Sequence, residues 1–448
     1  QNMNVGGPYT IKITFVGYQE FSAGDIYLQL GQMQKNNVEL AETAAQLSEV
    51  EIVAQSRGII DGNRTGAEQI VNAQEISKLP TINRDIFDFA RMTPQANKQD
   101  NGVLSIAGMN NRYNSIMVDG TVNNDAFGLA ANGQNGGQTG GTPFSMDVID
   151  QLQIVLAPFD VRYNGFAGGG INAVTKAGTN DVQGTAYYLF RNEALAGLTP
   201  TDSEDPDFER TALPEFSANT YGVSVGGPLV KNKLFFFLNA EFQRDQTPNP
   251  FNFGDYTGDS DRDAITALEN FVQNEYGYDM GGFENNIDEL TSNKVFGRID
   301  WNINKTHKLM ARHSYTQNIA YNPSSSSKYS LSYYNNGIYF PSVANTTAVE
   351  LKSNWDNKSN NLSLSYSSVH DDRNPLGDPF PAIRIYDGDA SIYFGSEAYS
   401  TANELKQNIF NVTDNLSLYL GSHTVTVGAN FEYQYVYNLF MRKAFGEY

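Results

Sequence analysis

The stretch Ala167-Gly-Gly-Gly-Ile-Asn-Ala-Val-Thr-Lys-Ala-Gly-Thr-Asn180 divides the chain into two regions of different character. Three glycines open it, a short apolar run follows, and a second turn signal closes it. Beyond Thr179 the sequence alternates apolar and polar residues. Val295, Gly297, Ile299, Trp301 and Ile303 share one face of a strand, while Arg298, Asp300, Asn302 and Asn304 occupy the other. Leu362, Leu364 and Tyr366 oppose Ser363, Ser365 and Ser367 in the same way. So do Val425, Val427, Ala429, Phe431, Tyr433, Tyr435 and Tyr437 against Thr424, Thr426, Gly428, Asn430, Glu432 and Gln434. A period of two, kept up for about ten residues, marks strands whose two faces meet different surroundings.

Nine such strands are read, near 183–192, 219–228, 233–244, 293–304, 307–318, 345–356, 359–370, 406–419 and 422–437. Short turns at 230–233, 304–307, 356–359 and 420–423 interleave with long connections at 193–218, 245–292, 319–344 and 371–405. This rhythm, and the aromatic run from Phe431 to Tyr437, favour a membrane-spanning barrel over a soluble β-sandwich. A barrel of this kind has short turns at one rim, long loops at the other and aromatic girdles at the interfaces.

Composition agrees. The 448 residues include 40 Gly, 27 Phe and 26 Tyr, which suits a turn-rich β-protein. With 50 acidic and 30 basic residues the net charge is -20, and no basic cluster offers a nucleic acid its phosphate contacts. The absence of cysteine excludes disulfides and thiolate chemistry from this sequence. No run of about 18 apolar residues is present, so the sequence contains no candidate transmembrane helix.

The region before the junction is mixed. Residues 1–37 contain two short apolar strands, read as the end of a small β-sandwich. Residues 38–58 are a polar linker interrupted by one β-prone island, Leu47 to Ala54. Within 59–178, Ala67 to Leu79 and Asn83 to Arg91 are expected to be helical, and Ser115 to Gly120 and Ile149 to Leu156 to be strands. A Gly/Asn/Gln-rich loop runs from Gly128 to Thr142; loops this long inside a compact region are usually functional or disordered.

Residues 149–158 followed by 163–178 resemble the end of the plug domain of TonB-dependent outer-membrane receptors. In that family an Ile-Asn-x-x-Thr-Lys strand leads into the first barrel strand. The runs Ala107-Gly-Met-Asn-Asn-Arg-Tyr-Asn114, Met117-Val-Asp-Gly-Thr-Val-Asn-Asn-Asp125 and Ala157-Pro-Phe-Asp-Val-Arg162 are similar to the Oar-like branch. So is Val225-Gly-Gly-Pro-Leu-Val-Lys-Asn-Lys-Leu-Phe-Phe-Phe237. The resemblance implies a mostly β protein, with a plug at 59–178 inside the first part of a barrel at 179–448. Residues 1–37 would then end a carboxypeptidase-regulatory-like domain. The junction glycines are expected to bring plug backbone against the barrel wall. Nine strands fall short of the about 22 of plugged transporters, so a longer natural chain is expected.

The resemblance also implies function: transport energised by TonB and its inner-membrane complex, with no catalysis and no cofactor. TonB is expected to pair with a TonB box, for which Glu49, Val50, Glu51, Ile52, Val53 and Ala54 are the candidate. Outer-membrane lipid, an unidentified substrate and a surface lipoprotein complete the expected partners. Arg112, Tyr113, Asn114, Asn132, Gln134, Asn135 and Gln138 are the expected substrate-facing residues, with plug-wall packing as the competing assignment. The alternative function is an adhesin or export channel that keeps the same architecture.

Three weaker motifs are set aside. Ser224, in Gly222-Val-Ser-Val-Gly226, fits a nucleophile elbow but lies in an alternating strand and is read as lumen-facing and structural. His307, His313, His370 and His423 lack metal-ligand spacing. Asp255, Asp259, Asp261 and Asp263 resemble a calcium ladder, but without its glycine or its closing glutamate.

Overall fold

The computed structural model describes residues 6–16, 18, 20–28, 38, 40, 68–79, 81, 84–90, 93–99, 103–156, 161–162, 165–198 and 210–448. Strands β1 (Gly6–Ile13) and β2 (Phe21–Leu28) form an antiparallel pair. The next region contains β3 (Glu68–Asn72), α1 (Ala73–Lys78), α2 (Ile86–Ala90), β4 (Ala96–Lys98) and β5 (Leu104–Ile106). It continues with β6 (Ser115–Val118), β7 (Thr121–Val122), β8 (Ile149–Val155) and β9 (Gly170–Thr175). Five of these strands form one sheet in the order β3-β8-β9-β6-β7.

The expected helix from Ala67 is therefore half strand. Glu68–Asn72 pairs with β8, and only 73–78 is helical. Val71 is almost fully buried in the core formed by Phe87, Phe89, Leu104, Ile106, Leu152 and Ile154. Pairing with a buried neighbour outweighs local propensity here.

The second region contains β10 (Gln183–Asn192), α3 (Glu193–Ala196), β11 (Ser217–Val230), β12 (Leu234–Asn249), α4 (Arg262–Tyr276) and β13 (Asn286–Asn302). Then come β14 (His307–Asn322), β15 (Ser330–Ser332), β16 (Ile338–Asn354), β17 (Lys358–Pro375), β18 (Ile383–Asp387) and β19 (Ala390–Phe394). The last two strands are β20 (Asn403–Leu420) and β21 (His423–Leu439). Nine strands pair antiparallel in the order β10-β11-β12-β13-β14-β16-β17-β20-β21, a partly closed wall around the first sheet.

Each strand read from alternation exists, but most extend further toward the long loops. β13 begins at 286 rather than 293, and β16 at 338 rather than 345. Past the lipid both faces of a hairpin meet polar surroundings, so pairing continues where the alternation fades. Val295, Ile299 and Trp301 point outward, while Lys294, Phe296 and Arg298 are buried inside. Tyr366, Phe410 and Tyr433 stand directly opposite one another on β17, β20 and β21 with exposed rings, one row of an aromatic girdle.

The long loops build a cap with its own core. Ile265 and Val272 of α4 pack with Tyr278, Met280, Phe283, Leu331, Tyr333, Ile392 and Phe394, which come from three separate hairpins. The β15-β19-β18 sheet completes it. The Asp261 carboxylate caps α4 by accepting from the Ala264 N–H at 2.9 Å, and Gly277 ends the helix in the left-handed conformation. Phe283→Ala should cost the cap about 3–5 kcal/mol, because the ring is buried edge-on against Tyr333 at 5.2 Å. Protease cleavage of the cap loops should accelerate while the barrel keeps its resistance to detergent. Unchanged cleavage would mean that the cap does not depend on this core.

Candidate functional site

The five-stranded sheet sits against the inner face of the wall, and three polar clusters join the two. The first is built on Val118-Asp-Gly-Thr121, a two-residue hairpin turn with both central residues at positive φ, 47° at Asp119 and 77° at Gly120. This Asp-Gly geometry suits a tight hairpin, and it aims the Asp119 carboxylate sideways. Thr175 N–H and hydroxyl donate to that carboxylate at 2.8 and 2.9 Å. From the wall, Arg312 Nε lies 2.9 Å from Asp119 Oδ2 and Arg298 Nη1 lies 3.6 Å from Oδ1. Arg298 also holds Asp300 through two bonds of 2.7 Å and donates to the Thr175 carbonyl at 2.8 Å. Arg312 donates to the Val118 carbonyl at 2.8 Å and to the Thr121 hydroxyl. All three charged side chains are at most 9% exposed, so their pairing is scarcely screened by solvent.

The second cluster lies on the β10–β13 side. Glu241 accepts from Ser145 at 2.7 Å, from Lys294 at 2.9 Å and from Tyr187. Lys294 also donates to Thr142 at 2.7 Å. The Arg84 guanidinium stacks over the Tyr187 ring at 4.7 Å. Near Lys176 and Arg298, burial raises the Asp150 carboxyl above its ordinary range, and those two cations partly offset it. The third cluster is on β17 and β20. Gln138 donates to Asp371 and accepts from Arg373, both at 2.7 Å, and Gln407 donates to Asp125 at 3.0 Å.

Several expected substrate-facing residues have other roles. Asn114 is buried, donating to the Leu104 carbonyl and accepting from Gly169 N–H. Gln134 is buried, and Asn135 is buried with its amide on the Ser367 hydroxyl at 3.1 Å. Gln138 is held by the wall, and the Asn132 side chain accepts from Gln134 N–H. Asn135 and Gln138 thus turn to the wall, while Asn114 and Asn132 bond within the plug. Arg112 donates to the Gly128 carbonyl at 2.9 Å and stays exposed, as does Tyr113 beside Phe127 and Leu129. These four are exposed residues of the plug. The Glu49–Ala54 segment lies outside the described residues.

The glycines of the junction divide likewise. A side chain at Gly168 would strike Asn114, and one at Gly169 would strike Ile106, so both pack within the plug. Gly178 alone of these lies against the wall, where a Cβ would come within 2.8 Å of the Gly227 carbonyl oxygen and 3.0 Å of Phe236 N. Ser224 is buried on the inner face at 2.6 Å from Thr185. Among the described residues no group of three or more His, Asp or Glu is placed to hold a metal, and the four loop aspartates stay apart.

A plug seated inside an outward-apolar β-wall is the architecture of an outer-membrane receptor. Residues 174–258 and 269–448 match the family described as an outer membrane beta barrel domain, and residues 61–171 match the TonB-dependent receptor plug domain. The chain belongs to the TonB-dependent receptors of the outer membrane.

Among its relatives is the TonB-dependent transporter Oar of Myxococcus xanthus, 26% identical over 263 residues, 56% of this chain and 24% of that protein. A probable TonB-dependent siderophore receptor, PirA of Acinetobacter baumannii, is 26% identical over 189 residues, 39% of this chain and 22% of that protein. The chain thus spans about a quarter of the length of these curated relatives. Two solved structures share the fold. The outer membrane transporter YddB of Escherichia coli has a TM-score of 0.57 at 14% identity, covering 83% of this chain and 48% of that one. A mutant form of the ferric enterobactin receptor PfeA of Pseudomonas aeruginosa has a TM-score of 0.54 at 16% identity, covering 82% and 48%.

Proposed function

We propose that this chain is the plug and adjoining wall of an importer that TonB drives by pulling on the plug. The observation that carries this reading is the buried Asp119–Arg298–Arg312 cluster. It seats the plug across the lumen by noncovalent bonds, so passage requires work to move the plug. The exposed plug surface around Tyr113 and Phe127 offers the place where a solute is first held. Two relatives carry the names of siderophore or ferric enterobactin receptors. By analogy, the cargo is a small solute captured from outside.

The pull enters through Glu49–Ala54, which adds to TonB as an extra strand through backbone hydrogen bonds. In the full-length receptor, Ile52→Pro should remove one donor, fix φ and abolish capture of the TonB periplasmic domain, whereas Ile52→Ala should retain it. Undiminished capture by the proline variant would place the TonB contact elsewhere.

A further inference from the structure

We propose that, within the part of the wall this chain supplies, solute passes the plug along the seam that faces β14 and β16 rather than along β11 and β12. This rests on the import reading above and adds the route.

Two cavities lie in line on that side. The upper one, of about 20 Å³, is bounded by Val118, Asn135, Val148, Phe296, Arg312 and Ala344. That volume exceeds the threshold for holding a water. The lower one is bounded by Arg298, Asp300, Met310, Glu350 and Lys352, at the end of the wall that carries the short turns. Arg298 and Arg312, bound to Asp119, stand between them. Release of Asp119 from these arginines would join the two spaces.

The chemistry of the seam points the same way. Asn135 Oδ1, which borders the upper cavity, and Asn318 Oδ1 on β14 are buried without protein partners, as are Asn239 Oδ1 and Ser292 Oγ on the β12–β13 side. Buried amides of this kind are satisfied by water or by a polar solute. Beside Asn135 and Gly136 the wall is small and neutral, with Ala344, Ala348, Ser365 and Ser367, and Gly136 rides directly over Ala344, while further along β17 Asp371 and Arg373 hold Gln138. Among the described residues, no ion pair joins the plug to β16, β17 or β20. Toward β12, Phe237 packs on Phe296 and Val148, which also bound the upper cavity, and the Glu241–Lys294 pair is bonded to Ser145 and Thr142. The charges of both signs in the lower cavity suit a polar cargo, and the mostly apolar lining of the upper cavity, with Val118, Phe144, Val148 and Phe296, suits an apolar part of the same solute.

The sequence contains no cysteine, so single introduced thiols report cleanly. Ala344→Cys, at a buried position, and Thr346→Cys, at a half-buried one, place a thiol in the seam; Ser224→Cys and Asn239→Cys place one at buried positions on the inner face of β11 and β12. Cells carrying each full-length variant are treated from outside with a membrane-impermeant sulfonated maleimide, with TonB active or deleted. Labelling at 344 and 346 should rise several-fold with active TonB, while 224 and 239 stay unchanged. An equal or larger rise at 224 and 239 would overturn the route but leave the import reading standing. No TonB-dependent rise at any of the four positions would overturn both. Resistance of each variant to detergent, compared with the parent, identifies any that misassemble, and Ala344→Ser should match the parent in that assay.

Discussion

Asp119→Ala should loosen the plug in its seat by about 3–5 kcal/mol, the usual cost of leaving a buried charge without its partner. Two wall arginines meet this carboxylate, but they are not equally dependent on it. Arg298 keeps Asp300 and the Thr175 carbonyl, whereas Arg312 keeps only neutral acceptors, the Val118 carbonyl and the Thr121 hydroxyl. The penalty therefore falls mainly on Arg312. Asp119 also occupies the left-handed region, which asparagine and aspartate tolerate better than alanine. Asp119→Asn should thus cost less than Asp119→Ala, since asparagine keeps both the turn and one acceptor oxygen for Thr175 or Arg312. Adding Arg312→Met to Asp119→Ala should recover part of the loss, because removing both partners leaves no stranded cation. The measurement is the urea concentration at which the plug becomes open to protease while the barrel remains intact. An unchanged midpoint for Asp119→Ala would show that the cluster does not hold the plug.

Gly178→Val should prevent the plug from entering the wall correctly. The obstruction is backbone on both sides, the Phe236 peptide of β12 and the Gly227 carbonyl of β11, and neither can swing aside as a side chain would. Overpacking against a movable core typically costs about 1–3 kcal/mol, and a fixed backbone places this substitution at or above the upper end. Gly282→Ala is the control, since its Cβ would meet only the Asn286 side chain, at 4.0 Å. The readout is the fraction of receptor in outer membranes that resists detergent before heating. Equal fractions for Gly178→Val and the parent would mean that the junction has room that the structure does not show.

The wall was legible because lipid on one face and plug on the other impose strict alternation on each strand. Val295 and Ile299 point to lipid and Arg298 to the lumen, and their order in the sequence already says so. What alternation cannot say is which distant residue an inward side chain will meet. Asp119 stands out as part of an Asp-Gly turn, but its partners lie 179 and 193 positions further on, at Arg298 and Arg312, brought there by the register of β13 on β14. The loop amides misled for a related reason. Asn114, Gln134 and Asn135 look like an exposed polar surface in sequence, because polarity alone does not distinguish an amide facing water from one facing a serine-lined wall. Among the junction glycines, Gly178 alone is pressed against that wall, and only the packing separates it from Gly168 and Gly169. The cap core was hidden because its residues are dispersed. Phe283, Tyr333 and Phe394 lie in three different loops, and no single period runs across residues so far apart in sequence.

The cap core has one further consequence, for how the exterior of this receptor can change over time. Hairpins with separate tips could each vary freely under attack by phage or antibodies. Here the tips share Tyr278, Phe283, Tyr333 and Phe394, so a change that evades recognition at one tip disturbs the folding of the others. Tolerated variation is thereby confined to side chains outside that core, such as the exposed Phe271 and Tyr276 of α4 and Tyr386 of β18. Sequences from a population under such attack should diverge at those positions first and hold the aromatic interior nearly constant.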